Sequence, residues 1–160
     1  MQVVTSGMRF SKDDSAGYLV NHLARLFARD LQVRIKPLGL STGTFPALLV
    51  LWESDGLTQR ELIARLDVEQ PTMTNTLARM ERDGLIRRAK DPADGRAQRI
   101  WLTETARALE GPATAAAEAV NARALERLTP EERAAFLGLV RKVIAGLHAE
   151  TAAHGQDGLI

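Results

Sequence analysis

Two short helix signals lie back to back over residues 57–83, with two short strand-like runs directly after them. The first signal is LTQREL at 57–62. Thr58 stands as an N-cap with Glu61 at N3, a capping box, and Leu57 and Leu62 occupy the positions of a hydrophobic staple. That helix ends near Leu66-Asp67. Asp67, Val68 and Glu69 alone separate it from a second helix that begins around Gln70-Pro71, with proline in its first turn. Short helices joined this tightly predict a helix-turn-helix.

The second helix is QPTMTNTLARMERDG. Met73, Leu77 and Met80 recur at helical spacing and form a buried stripe. Thr72, Asn75, Arg79 and Arg82 make the opposite, polar face. Gly84 sits where a left-handed helix stop belongs. Leu85–Lys90 then reads as a strand and Gln98–Leu102 as its antiparallel partner, with DPADG in the loop between them. A hairpin directly after a helix-turn-helix is the arrangement called a winged helix.

The flanks are helical. An amphipathic run from Ser15 to Lys36 carries Leu19, His22, Leu23, Leu26, Phe27 and Leu31, and is stopped by Pro37 and Gly39. Another helix opens after Ser41 or Thr42, carries Phe45, Leu48, Leu49 and Trp52, and stops at Ser54-Asp55-Gly56. Beyond the hairpin, Thr103 caps an alanine-rich helix. Gly111-Pro112 inside that helix predicts a kink or break, because proline cannot donate to the Ala108 carbonyl. LTPEER at 128–133 repeats the start signal, with Thr129 as N-cap and Glu132 at N3. The last helix bears Phe136, Leu137, Val140, Val143, Ile144 and Leu147, more apolar surface than the outside of a monomer needs.

The expected fold class is therefore mainly α with a small β-wing. A flexible segment over 1–14 precedes a helical region at 15–40. The winged helix-turn-helix covers 41–103, further helices follow at 104–153, and 154–160 is a flexible tail. Aromatic residues make up 4% of the chain, so the core is aliphatic and alanine-rich. With no cysteine, disulfides and thiol chemistry are excluded, and a cytoplasmic setting fits. No apolar run reaches the ~18 residues of a membrane span.

An enzyme is the first rival. P-loop, G-x-S-x-G and H-E-x-x-H motifs are all missing. GLSTG at 39–43 reads better as a helix stop and an N-cap than as a phosphate loop. His22, His148 and His154 do not form a zinc spacing, so neither a metal nor another cofactor is expected.

The second helix of a helix-turn-helix enters the major groove, and its first residues meet base edges. Gln70, Thr72, Met73 and Asn75 are the candidates there. Asn and Gln suit adenine, Thr a thymine methyl, and Arg79 guanine or phosphate, with Arg82 on the same DNA-facing side. Between Arg79 and Arg99 seven basic residues stand against four acidic ones. Arg87, Arg88, Lys90 and Arg99 suit phosphates. Arg96 near the hairpin tip suits a narrow A·T-rich minor groove, with Asp94 bracing its guanidinium as a bidentate pair. The partner class is thus double-stranded DNA. A winged helix that binds a protein instead is the alternative, which fold alone does not exclude.

These stretches carry a resemblance. RIKPLGLSTGTFPALLVL, LTQRELIARLDVEQPTMTNTLARMERDGLIRR and DPADGRAQRIWLT together resemble the MarR family of bacterial winged-helix regulators over residues 15–150, and within it the SlyA-like branch. The D-x-R…L-T wing signature is present as Asp94, Arg96, Leu102 and Thr103, and EQPT resembles that branch's recognition-helix start. Gly95 departs from the pattern where a further arginine is common, and Ala106 replaces a frequent glycine. The resemblance implies an obligate homodimer knitted by the terminal helices, a pseudo-palindromic operator, and repression relieved by a small-molecule effector, often an aromatic acid. Its pocket would lie where the dimer region meets the winged helix, on helices that carry His22, Arg25, Phe27, Phe45 and Trp52.

Overall fold

A computed structural model of the chain describes residues 9–156. Ser15, whose hydroxyl accepts the Tyr18 amide, caps α1 (Ala16–Ile35). A single 3-10 turn, Lys12–Asp14, precedes it, inside the segment expected to be flexible; residues 1–8 of that segment lie outside the described residues. Proline and glycine end α1 as expected: Lys36–Leu38 tighten into a 3-10 turn and Gly39 turns left-handed at φ 74°. Gln32 of α1 then holds the following loop, donating to the Leu40 carbonyl and accepting from the Thr42 amide.

The next helix starts later than expected. Residues 42–44 form a turn, and α2 is Phe45–Glu53. The reason is Pro46, which fits only a first helical turn. After α2 comes an element not anticipated, a two-residue strand β1 (Leu57–Thr58). Helices α3 (Gln59–Leu66) and α4 (Gln70–Arg82) follow, then strands β2 (Ile86–Lys90) and β3 (Gln98–Leu102). The sheet is antiparallel with order β1-β3-β2. Leu57 faces Ile100, and the hairpin pairs Ile86 with Leu102 and Lys90 with Gln98.

One core sits under these elements. Ile35, Leu48, Leu51, Leu62, Met73, Leu77, Met80 and Ile100 are all within 2% of complete burial. Thr103 accepts the Ala106 amide and starts α5 (Glu104–Ala124). The break expected at Gly111-Pro112 is absent, and α5 runs through Pro112 without interruption. Ala106, Ala113 and Val120 bury one face of the helix, whereas Ala108, Gly111 and Pro112 lie on the exposed face. The missing ladder bond thus falls where it costs least, and packing of the other face keeps the helix whole. The Thr114 hydroxyl adds bonds to the Glu110 and Gly111 carbonyls.

The chain divides into two compact units, one through Val120 and one from Asn121 onward. The second contains α6 (Pro130–Gln156), opened by a second capping box in which Thr129 and Glu132 exchange amide bonds. Helix α6 continues past the boundary expected at residue 154, and residues 157–160 lie outside the described residues. No described helix is long and apolar enough to cross a membrane.

Candidate nucleic-acid interface

The capping box that opens α3 is formed in full. Thr58 Oγ1 accepts the Glu61 amide at 3.2 Å, and Glu61 Oε2 accepts the Thr58 amide at 2.7 Å. Those bonds from Thr58 hold the Glu61 carboxyl below its ordinary pKa. The helix closes on Asp67, the one non-glycine residue with positive φ among those described (52°). Gln59 Nε2 donates to Thr74 Oγ1 at 3.0 Å, and that hydroxyl donates to the Gln70 carbonyl. This bond fixes the first turn of α4 against α3.

Burial of Met73, Leu77 and Met80 sets the roll of α4. Met73 is 2% exposed and belongs to the core, so its expected contact with base edges is corrected: the stripe that seats the helix uses it. Gln70, Thr72, Asn75, Arg79 and Arg82 stand on the exposed side. Among the described residues the Thr72 and Asn75 side chains make no hydrogen bond and Arg79 no ion pair. Arg82 has the 3.7 Å approach of Asp83, at the surface. The Arg79 guanidinium lies close to Gly43, whose missing side chain leaves it room.

In the wing the basic residues divide into two groups. Arg88 is bound to Glu81 of α4 at 3.1 Å. Arg99 donates to the Gly56 carbonyl at 2.8 Å and meets Asp91 at 3.0 Å. Both were expected to face phosphates; each is instead engaged in an intramolecular pair that ties the hairpin to its surroundings. Arg87 lies over the Trp101 ring at 5.9 Å. Lys90 and Arg96 are exposed and have no ion-pair partner among the described residues. Asp94 does brace Arg96, but not by a bidentate pair. Its Oδ1 accepts the Arg96 backbone amide at 3.0 Å, which shapes the turn and leaves the guanidinium free. The nearly buried Asp91 is held below the ordinary carboxylate range, first by the Ala93 amide and then by Arg99.

Between the first turns of α3 and α4 and the wing lies a cleft of about 910 Å³. Thr58, Gln59, Arg60, Gln70, Arg96 and Gln98 are among its walls. It is bordered on one side by the exposed start of α4 and on the other by the wing arginine.

The residues suggested for an effector pocket are dispersed. Phe45 is 3% exposed in the core and meets Trp52 edge to face at 6.1 Å. Trp52 Nε1 donates to the Ala106 carbonyl, tying α2 to α5. His22 packs instead against Tyr18, Arg25 is exposed, and Phe27 is half-buried on the same helix.

Three residues escaped the reading of the sequence. Asp55 accepts the Gly56 and Leu102 amides and pairs with Arg107 at 2.8 Å. Arg107, paired also with Glu104, is held above the usual guanidinium pKa, chiefly by Asp55. Gln59 was seen only as a helix start. Asp55-Gly56 gave a local signal, but only of a turn.

The family model described as MarR family matches residues 38–97. The transcriptional regulator TtmR of Methylorubrum extorquens is 32% identical over 139 residues, covering 87% of this chain and 70% of that protein. An HTH-type transcriptional repressor of Mycobacterium tuberculosis is 30% identical over 136 residues, covering 85% and 98%. Among solved structures, a MarR-family regulator of Listeria monocytogenes in complex with a 26mer DNA superposes with a TM-score of 0.79 at 22% identity, covering 91% of this chain and 96% of that one. At that identity the likeness is one of fold.

Proposed function

The chain belongs to the MarR family of transcriptional regulators, and from that premise we propose that it is a homodimeric, cytoplasmic regulator that binds a pseudo-palindromic operator in double-stranded DNA. In this reading α4 enters the major groove and reads bases through Gln70, Thr72 and Asn75, with Arg79 and Arg82 along the groove wall. Arg96 enters the flanking minor groove, and Lys90 meets phosphate. The observation that carries it is the set of polar side chains left free. Thr72, Asn75, Arg79, Lys90 and Arg96 are exposed and, among the described residues, their side chains have no hydrogen-bond or ion-pair partner, whereas Arg88 and Arg99 are paired. Unspent donors on one helix and an adjacent wing fit base edges and phosphates.

The dimer rests on two exposed apolar stripes. Leu19, Leu23 and Leu26 on α1 and Leu137, Val140, Ile144 and Leu147 on α6 are each at least 37% exposed. Two recognition helices would then address successive major grooves ~34–36 Å apart. Repression, relieved by a small-molecule ligand, is part of the same proposal. It draws on the repressor name of the mycobacterial relative and on the family resemblance for the ligand.

The test is a salt-titrated mobility shift on fragments around the gene's own promoter. One fragment is expected to bind at least ~10³-fold more tightly than bulk DNA, with affinity falling steeply as salt rises. Lys90→Ala should weaken all sequences alike and reduce the log–log salt slope by about 0.9, one phosphate contact. Equal, weak binding to every fragment would reject sequence-specific recognition.

A further inference from the structure

Arg96 serves DNA binding only if the wing presents it at a fixed place, and the tip has little to fix it. The β2–β3 ladder ends at Lys90 and Gln98. Within the loop beyond, Asp91 N donates to the Ala97 carbonyl and Ala97 N to the Asp94 carbonyl. Among the described residues, the only side-chain bond from residues 91–97 to a residue outside the loop is Asp91–Arg99.

That bond is one link in a longer chain. Arg107 Nη2 of α5 meets Asp55 Oδ2 at 2.8 Å. Asp55 Oδ1 accepts the Gly56 and Leu102 amides, each at 2.9 Å. The Gly56 carbonyl accepts Arg99 Nη1 at 2.8 Å, and Arg99 Nη2 reaches Asp91 Oδ2 at 3.0 Å. Asp91 Oδ1 in turn accepts the Ala93 amide in the tip at 2.9 Å.

We propose that Asp55, Arg99 and Asp91 are positioning residues: they hold the wing tip at a fixed place relative to the helix-turn-helix, so that Arg96 reaches DNA. The inference rests on the reading of Arg96 given above. A guanidinium is planar, with its donors in a rigid fork. Bound to a carbonyl of the loop before β1 and to a carboxylate of the wing, the Arg99 fork sets the distance between the two segments. Asp91 and Arg99 belong to the wing, on the cleft wall opposite the start of α4. Asp91 is 8% exposed, so its carboxylate serves the protein and not a ligand.

The test is a double-mutant cycle on an operator with an A·T-rich flank. Arg96→Ala is made in the wild type, in Arg99→Gln and in Asp91→Asn. In the wild type it should cost roughly tenfold in affinity, the size of one good groove contact. In either positioning variant the same substitution should cost less than about twofold, within the error of additivity. Amide relaxation should show order falling at residues 93–96 and holding along α4, which a general loss of stability would not do. Asp91→Asn retains an acceptor for the Ala93 amide and carries the test should Arg99→Gln not fold.

A tenfold Arg96 penalty that persists in both variants overturns the positioning inference and leaves the DNA-binding reading intact. No penalty in the wild type overturns the inference together with the role of Arg96. Failure of the wild type to bind any fragment refutes the function on which both depend.

Discussion

Val140→Glu combined with Ile144→Glu on α6 is expected to leave the protein monomeric and to lower operator affinity by more than ~100-fold. Val140 and Ile144 are 38% and 48% exposed, and Leu137 and Leu147 extend the same row at spacings of three and four residues. An apolar row of this length on one helix is a surface that a lone chain would leave in water. The two substitutions put four carboxylates, two from each copy, into an interface built on this row, and burying them is costly. A monomer has one recognition helix and forfeits the second half-site, and the avidity of linked sites is typically ~10²–10⁴. Neither residue belongs to the core around Leu48, Leu77 and Ile100, so the winged helix keeps its packing. Sedimentation gives the oligomeric state and anisotropy the affinity. A wild type that is monomeric at micromolar concentration, or a variant that binds its operator undiminished, contradicts the dimer.

The second large effect concerns stability. Gly56→Ala should destabilise the fold by about 2–5 kcal/mol, the sum of a backbone cost and a packing cost. Gly56 has φ 73°, a left-handed conformation that costs an L-residue about 1–2 kcal/mol. A Cβ there would stand 2.5 Å from Cη2 of Trp101 and 2.7 Å from its Cζ3, so the indole must move. Overpacking of this kind typically costs ~1–3 kcal/mol. The two parts are separable. Trp101→Leu in the alanine background should recover the packing cost and leave the backbone cost. Urea unfolding measures both, and a single Gly56→Ala variant as stable as the wild type would show that neither constraint operates.

Much of this was legible in the sequence because it is written locally. Thr58 and Glu61 lie three positions apart, so their capping box is visible without coordinates, as is the one at Thr129 and Glu132. Met73, Leu77 and Met80 marked the buried side of α4 by their spacing alone. The same stripe should have removed Met73 from the base-reading set, since one side chain does not serve both faces.

What escaped depends on contacts distant in sequence. Arg99 meets the Gly56 carbonyl 43 residues away, and Asp55 meets Leu102 47 away, so charge pattern alone could not separate tied arginines from free ones. Arg99 looked like a phosphate ligand for that reason, and Arg88 because its tie to Glu81, seven residues back, crosses from strand to helix. Strand β1 is two residues long, and its sequence is also the lead-in to α3. Pro112 pointed to a break because proline's local rule is strong. Burial of Ala106, Ala113 and Val120 overrode it, a choice made by packing and not by the residue itself.

The central claim is that the free face of α4 reads bases, and it is tested most directly by an operator substitution series. Each base pair of the operator is changed in turn, and affinity is measured for the wild type and for Asn75→Ala. The wild type should show preferences of roughly 1–3 kcal/mol at individual pairs. The variant should lose the preference at one pair in each half-site, at symmetry-related positions about one helical turn apart, and retain the others. A variant that keeps every preference, or that weakens uniformly across the whole series, would contradict the assignment of α4 as the reading helix.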